Sequence, residues 1–242
     1  MWLDVVMSPL AVGEEELHGR TVVVIDVLRA STTILAALAN GAREVVPVAD
    51  MAAASKVASS LDPETILLGG ERNGSPIEGY HLGNSPLEYR PEVVQGKIII
   101  LNTTNGTGAI IRARLAEEVL IGAFVNLSRL AQYLRERAPQ EVVLLCAGWR
   151  NRVSLEDVLC AGMLLDRLAV GEQPEEAPDG VRIAHMLYRI YADRLREVVA
   201  SSAHATRLRS LGYEADLALA TQVDHIPILA RYHEGVIRKL DG

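Results

Sequence analysis

Residues able to do chemistry gather in four short stretches of this chain, each directly behind an apolar run. DVLRASTT carries Asp26, Arg29, Ser31, Thr32 and Thr33, and GGERNG carries Glu71 and Arg72. NTTNGT supplies Asn102, Thr103, Thr104, Asn105, Gly106 and Thr107. CAGWRNRVSLED adds Cys146, Gly148, Arg150, Arg152, Glu156 and Asp157. A strand that ends in NTTNGT and opens onto a helix has the build of an anion site. First-turn N–H groups point outward, hydroxyls add donors, and Gly106 lets the backbone approach a ligand closely. Helix capping alone also draws Thr and Asn to such a place. No G-x-x-x-x-G-K-[ST] occurs there, so a nucleotide is not implied.

Asp26 lies near Arg29 in sequence, and Glu71 beside Arg72. One such pair is ordinarily a weak surface ion pair. Two pairs at neighbouring strand ends, together with Glu156 and Asp157, suit a hard divalent cation beside an anionic substrate. Mg²⁺ takes oxygen ligands, commonly one or two carboxylates plus phosphate and water. Acids in a first helical turn also simply stabilise the helix dipole. Glu156 and Asp157 project about 100° apart as helical neighbours, so they are not expected to chelate one ion together.

Cys146 opens a competing chemistry, because Arg152 follows at the C-x5-R spacing of cysteine phosphatases, where a thiolate attacks a loop-bound phosphate. No Ser or Thr follows Arg152, as that signature wants, and a small buried thiol at a strand end is the plainer expectation. Cys160, inside an apolar helical run, reads as core. An aspartyl-phosphate nucleophile at Asp26 would want D-x-D, and Leu28 stands in the third position. In HLGNSPLEY, His81 and Asn84 could hydrogen-bond an anion. His204 and His225 read as ordinary surface or interface histidines.

The elements that must position these groups follow from β-branched runs at 3–7, 21–27, 44–48, 65–70, 97–102, 118–122 and 141–147. Several are apolar without alternation, the mark of strands buried on both faces. Segments of helical period lie between them, at 32–40, 50–61, 107–115 and 126–137. This alternation predicts an α/β fold, a largely parallel or mixed sheet with helices on both faces. In such sheets ligands bind outside the carboxyl ends of the strands, where all four stretches fall.

After 147 no further strand is expected. Ser154 opens a long helix with the capping pattern SLED, 171–180 is a Pro- and acid-rich loop, and helical period returns from Val181. The expected organisation is a single α/β domain over 1–242. Residues 1–150 form its sheet-rich part with most of the site loops, and 151–242 an all-helical segment packed on the sheet or at a subunit interface.

A net charge of −7 without basic blocks argues against nucleic-acid binding. Two cysteines make neither a disulfide framework nor a four-ligand zinc site. MWLDVVMSPL has no signal-peptide pattern, and no apolar run reaches the roughly 18 residues of a membrane span. A cytoplasmic protein is expected, without membrane partners, and its amphipathic tail suggests a homodimer or higher homo-oligomer.

Taken together, DVLRASTTI, GGERNGSPIEGYHLGNSPLEY, NTTNGTGAI and CAGWRNRVSLEDVLCAG resemble the 2-phosphosulfolactate phosphatase family, with the likeness extending to HATRLRSLGYEADLALATQVDHIP. The resemblance implies an α/β fold peculiar to that family. It also implies Mg²⁺-dependent hydrolysis of 2-phospho-3-sulfolactate to 3-sulfolactate and phosphate, in coenzyme M or sulfolactate metabolism.

On that footing Asp26 and Glu71, with Glu156 or Asp157, are expected to hold Mg²⁺ beside a small anionic phosphorylated substrate. Arg29, Ser31, Thr32 and the 102–107 loop would cradle phosphate. Arg72, with His81 or Asn84, would take the sulfonate and carboxylate, and Cys146 and Gly148 complete the substrate set. Two alternatives remain: a Cys146 phosphatase acting on another small phosphorylated acid, and a non-catalytic protein binding such an acid.

Overall fold

β-branched residues favour a pleated, half-buried surface, and the runs rich in them become strands. The computed structural model describes residues 1–168 and 177–240. Its strands are β1 (Trp2–Val6), β2 (Thr21–Ile25), β3 (Glu44–Pro47), β4 (Ile66–Arg72), β5 (Ser75–Pro76), β6 (Ile98–Asn102), β7 (Glu118–Gly122), β8 (Glu141–Cys146), β9 (Leu229–His233) and β10 (Val236–Leu240). Between β1 and β8 the helices are α1 (Ala30–Ala39), α2 (Met51–Ser59), α3 (Pro91–Val94), α4 (Gly106–Arg112) and α5 (Leu127–Arg137). After β8 come α6 (Leu155–Arg167), α7 (Asp179–Tyr191), α8 (Leu195–Ala200), α9 (Ala203–Ser210) and α10 (Glu214–Ala220).

The strands form one mixed sheet in the order β1-β8-β2-β7-β9-β10-β3-β6-β4-β5. β1, β8, β2 and β7 are mutually parallel, as are β3, β6 and β4. Helices cover both faces. On β2, Val23 and Ile25 pack toward α5, α6 and the C-terminal helices, while Val22 and Val24 pack toward α1 and α4. Residues 171–176 of the expected loop lie outside the described residues. No described helix is long and apolar enough to cross a membrane.

Two sequence expectations need correction. Strands do not stop at 147, because β9 and β10 form a hairpin between the two parallel blocks. Their exposed Arg231, Arg238 and Lys239 interrupt the apolar pattern that marks the other strands. Glu234 and Gly235, at φ 48° and 86°, make the tight left-handed turn such a hairpin wants. Ser154, in turn, occupies the cap position of α6, yet its side chain makes no capping hydrogen bond.

The hairpin has a consequence for the site. Its antiparallel pairings make the β3-β6-β4 block run opposite to the β1-β8-β2-β7 block. In a flat sheet the ends of β2 and β6 would face opposite edges. At roughly 20–25° of twist per neighbour, the five steps from β2 to β6 accumulate about 100–125°. One core joins side chains of β8, β2, β7, β9, β10, β3 and β6 with α1 and α4, so the sheet curls around these two helices. Twist and curl together bring the two sets of strand ends to one place.

Candidate active site

Asp26 follows β2, and the turn into α1 is laced by its own polar side chains. Asp26 N–H donates to Ser31 Oγ at 3.0 Å, Thr32 Oγ1 donates to Val27 O at 2.8 Å, and Thr33 Oγ1 to Asn84 O at 2.9 Å. Ser31 and Thr32 are therefore engaged in fastening a strand to a helix, and neither lines the cleft described below. Asp26 Oδ1 accepts from Ala30 N–H at 3.1 Å. Its Oδ2 lies against Gly106 at the start of α4. A Cβ there would fall 2.5 Å from Oδ2 and 2.4 Å from the Ala30 Cβ, so only glycine lets the two loops meet.

At the ends of β4 and β6, Glu71 organises the opposing loop. Oε1 accepts from Thr104 N–H at 2.6 Å, and Oε2 accepts from Gly74 N–H at 2.7 Å and from Thr104 Oγ1 at 3.1 Å. Thr103 and Thr107 satisfy each other, each backbone N–H donating to the other's hydroxyl at 3.2 and 3.1 Å. Arg72 reaches sideways to Asn102 Oδ1 at 2.7 Å and does not line the cleft. His81 Nδ1 accepts from Leu68 N–H at 3.0 Å, also outside it. Asn84 does line it, and its buried Oδ1 has no hydrogen-bond partner; the Asn102 Nδ2 is buried and unpartnered as well.

On the β8 side, Asp157 ties two strand ends together, accepting from Val27 N–H at 2.9 Å and Gly148 N–H at 3.1 Å. Glu156, its neighbour, points elsewhere: Oε1 sits 3.2 Å from His204 Nδ1, and Oε2 is buried without a partner. Trp149 and Arg152 exchange backbone hydrogen bonds across a two-residue turn with Arg150 and Asn151 at φ 52° and 59°. Cys146 is fully buried beneath this turn's strand.

The cleft takes Asp26, Arg29, Glu71, Asn84, the Thr103–Asn105 loop and Arg150 from the residues singled out in the sequence, and adds Trp149 and His204. Gly106, Thr107, Asn102, Cys146, Gly148, Glu156 and Asp157 stand behind this surface. Arg29 is held before any ligand arrives, donating to Asp216 Oδ2 at 2.8 Å and Gly74 O at 3.1 Å under the Tyr213 ring. Asp216 also accepts from Ser85 Oγ at 2.7 Å. Sequence reasoning passed over Asp216, whose signal is a buried acid on the apolar side of YEADLALA, and placed His204 among ordinary histidines.

A family profile described as 2-phosphosulpholactate phosphatase matches residues 6–235. A protein of Caldanaerobacter subterraneus subsp. tengcongensis named probable 2-phosphosulfolactate phosphatase is 38% identical over 98% of both chains. Those of Symbiobacterium thermophilum and Thermotoga petrophila, named alike, are 42% and 43% identical, covering 94% and 92% of this chain and 97% and 91% of theirs. The chain belongs to the 2-phosphosulfolactate phosphatase family.

In this member of the 2-phosphosulfolactate phosphatase family the site is electrostatically loaded. Burial pushes the Asp26 carboxyl up to about 6; His204 and the Ala30 N–H oppose the rise, and Glu71 and Glu156 add to it. Burial, then the charges of Asp26 and Glu156, hold Asp157 well above the carboxylate range. Burial works to raise Glu156 too, but the hydrogen bond and charge of His204 outweigh it and keep that carboxyl low. Burial, then Asp157, drives the Cys146 thiol well above its ordinary value, the reverse of what a thiolate nucleophile needs.

Among the described residues no three His, Cys, Asp or Glu side chains are grouped to hold a metal ion. Mg²⁺ does not require such a group, since it commonly keeps waters and substrate phosphate alongside one or two carboxylates. Asp26, raised by burial and by neighbouring carboxylates, and the unpartnered Oδ1 of Asn84, both lining the cleft, supply oxygen that fits a hard cation.

Proposed function

We propose that this chain hydrolyses 2-phospho-3-sulfolactate to 3-sulfolactate and phosphate, with Mg²⁺ held at Asp26 and, across the cleft, Glu71. The observation that carries the proposal is the docking of Gly106 against Asp26, which puts a desolvated carboxylate beside the polar Thr103–Asn105 loop. The family membership supports the substrate. A bound Mg²⁺ would offset the charge that builds on phosphate oxygens during transfer.

The chain's own residues would do the rest. Glu71 fixes Thr104, so the loop keeps its shape without rearranging and forms a preorganised wall of the cleft. Arg29, clamped by Asp216, adds a preoriented guanidinium at the cleft wall. As water bonds to phosphorus and the ester P–O bond breaks, the leaving oxygen needs a proton. His204 is the cleft residue suited to carry it, because Glu156 engages Nδ1 and leaves Nε2 for a substrate.

The test is phosphate release from 2-phosphosulfolactate and from phospholactate, each with Mg²⁺ or EDTA and after thiol alkylation. Release that is EDTA-sensitive, alkylation-resistant and faster with the sulfonate is expected. Release that survives EDTA and is lost on alkylation moves the chemistry to Cys146, and no release from either substrate removes the proposal.

A further inference from the structure

The substrate assigned above carries three anionic groups, and the cleft is lined by two guanidinium groups, those of Arg29 and Arg150. They are in opposite conditions. Arg29 is neutralised by Asp216, with both side chains 2% exposed. Arg150 is exposed and makes no ion pair or hydrogen bond with any described residue; its one partner is the Trp149 ring, with the guanidinium carbon 4.6 Å from the ring centroid. Trp149 also stacks on His204, with centroids 5.2 Å apart and planes inclined by 16°. The indole thus contacts both a cation and the histidine beside Glu156.

We propose that the Trp149–Arg150 turn is the subsite for the sulfonate of the substrate, with the Arg150 guanidinium as its ion-pair partner. This rests on the phosphatase function proposed above. Stacking holds a guanidinium by its face and leaves its N–H edge free for an oxygen-rich anion, and the group is charged at every working pH, like a sulfonate. A cation already matched to Asp216 gains less from a further anion than one with no acid beside it. The turn itself gives no reason for arginine, since left-handed two-residue turns favour Asn, Asp and Gly. Phosphate, beside Asp26 and the Thr103–Asn105 loop, and sulfonate, at Arg150, would then flank the His204 ring.

The assignment is tested with wild type, Arg150→Met and Arg150→Lys on 2-phosphosulfolactate and phospholactate with Mg²⁺, with calorimetric titration of 3-sulfolactate and lactate into the same proteins. Losing a charge-assisted contact should reduce the kcat/KM preference for the sulfonate substrate about 10- to 100-fold in Arg150→Met, through KM more than kcat. Arg150→Lys, which keeps charge but not the planar fork, should fall between. The preference for binding 3-sulfolactate over lactate should shrink in parallel. An equal loss on both substrates would assign Arg150 to the shared phosphate or carboxylate and overturn the proposal, as would no loss on either. If wild type releases no phosphate yet binds 3-sulfolactate through Arg150, the catalytic reading fails and the subsite stands; if wild type does not prefer 3-sulfolactate to lactate, the subsite fails.

Discussion

The two halves of the cleft use their carboxylates in different ways. On the β4–β6 side, Glu71 accepts two hydrogen bonds from Thr104 of the loop it faces and one from Gly74 of its own turn, and Thr103 and Thr107 close on each other. On the β2–β8 side, Asp26 is pushed up to about 6 and Glu156 Oε2 has no partner at all. Similar residue types thus do two kinds of work. One side uses its carboxylate to hold a loop in shape, whereas the other carries a desolvated carboxylate with bonding capacity that a ligand can use. Unsatisfied buried polar atoms are costly for stability. Both sides keep one, Glu156 Oε2 behind β8 and Asn102 Nδ2 at the end of β6, so function and stability compete across the whole site.

Substitution of Asp26 should separate the halves most sharply. Asp26→Asn is expected to lower kcat by roughly 10³-fold, the scale of losing a metal-holding or charge-stabilising group, with no fall in the melting temperature of metal-free protein at pH 7. Activity near wild type with unchanged Mg²⁺ dependence would place the chemistry outside the β2–β8 side.

The pH dependence of stability sharpens the same point. A carboxyl raised from 3.8 to about 6 on folding contributes stability that is fully present below 3.8 and is lost as pH rises through 6. The loss should be on the order of 3 kcal/mol by linkage. In metal-free protein the melting temperature, measured as the difference between wild type and Asp26→Asn, should therefore fall between pH 4 and 6.5. A flat difference would show that Asp26 is not under this pressure.

Glu71→Gln should act on shape as well as on the metal site. Losing charge-assisted hydrogen bonds to Thr104 and Gly74 should cost about 2 kcal/mol of stability and about 10- to 100-fold in activity. Should this variant keep its melting temperature, the contrast between the halves breaks.

The smallest effect is expected at Cys146→Ala, which trims a buried thiol behind the cleft. Phosphate release should stay within about two-fold, with about 1 kcal/mol lost in stability. A collapse of activity without unfolding would restore the thiol as a reactant.

Much of this arrangement was legible in the residues alone. Uninterrupted apolar runs announced β2, β6, β7 and β8, and Asp50, whose carboxylate accepts from Ala53 N–H, announced α2. Asp26, Glu71 and the Thr103–Asn105 loop could be picked out because polar residues seldom follow buried strands without a task. His204, Trp149 and Asp216 were not legible as site residues. His204 and Asp216 enter from distant segments, and nothing in local pattern says that a histidine 48 positions from Glu156 will face it. Arg72 and Arg29 show the complementary gap, because sequence names a cation but not the acceptor that already occupies it.

What the sequence determined by itself is therefore local: which segments up to residue 147 are strands or helices, which polar residues terminate them, and the family to which those motifs point. Tertiary structure decided the rest. The β9–β10 hairpin reverses one block of strands against the other, and only the accumulated twist and curl of the sheet bring their ends back to a single cleft. Whether a charge there is matched or free depends on contacts across long separations, such as Asp216 on Arg29. Periodicity reports a residue's own backbone; electrostatic and hydrogen-bond partners are set by which surfaces pack together.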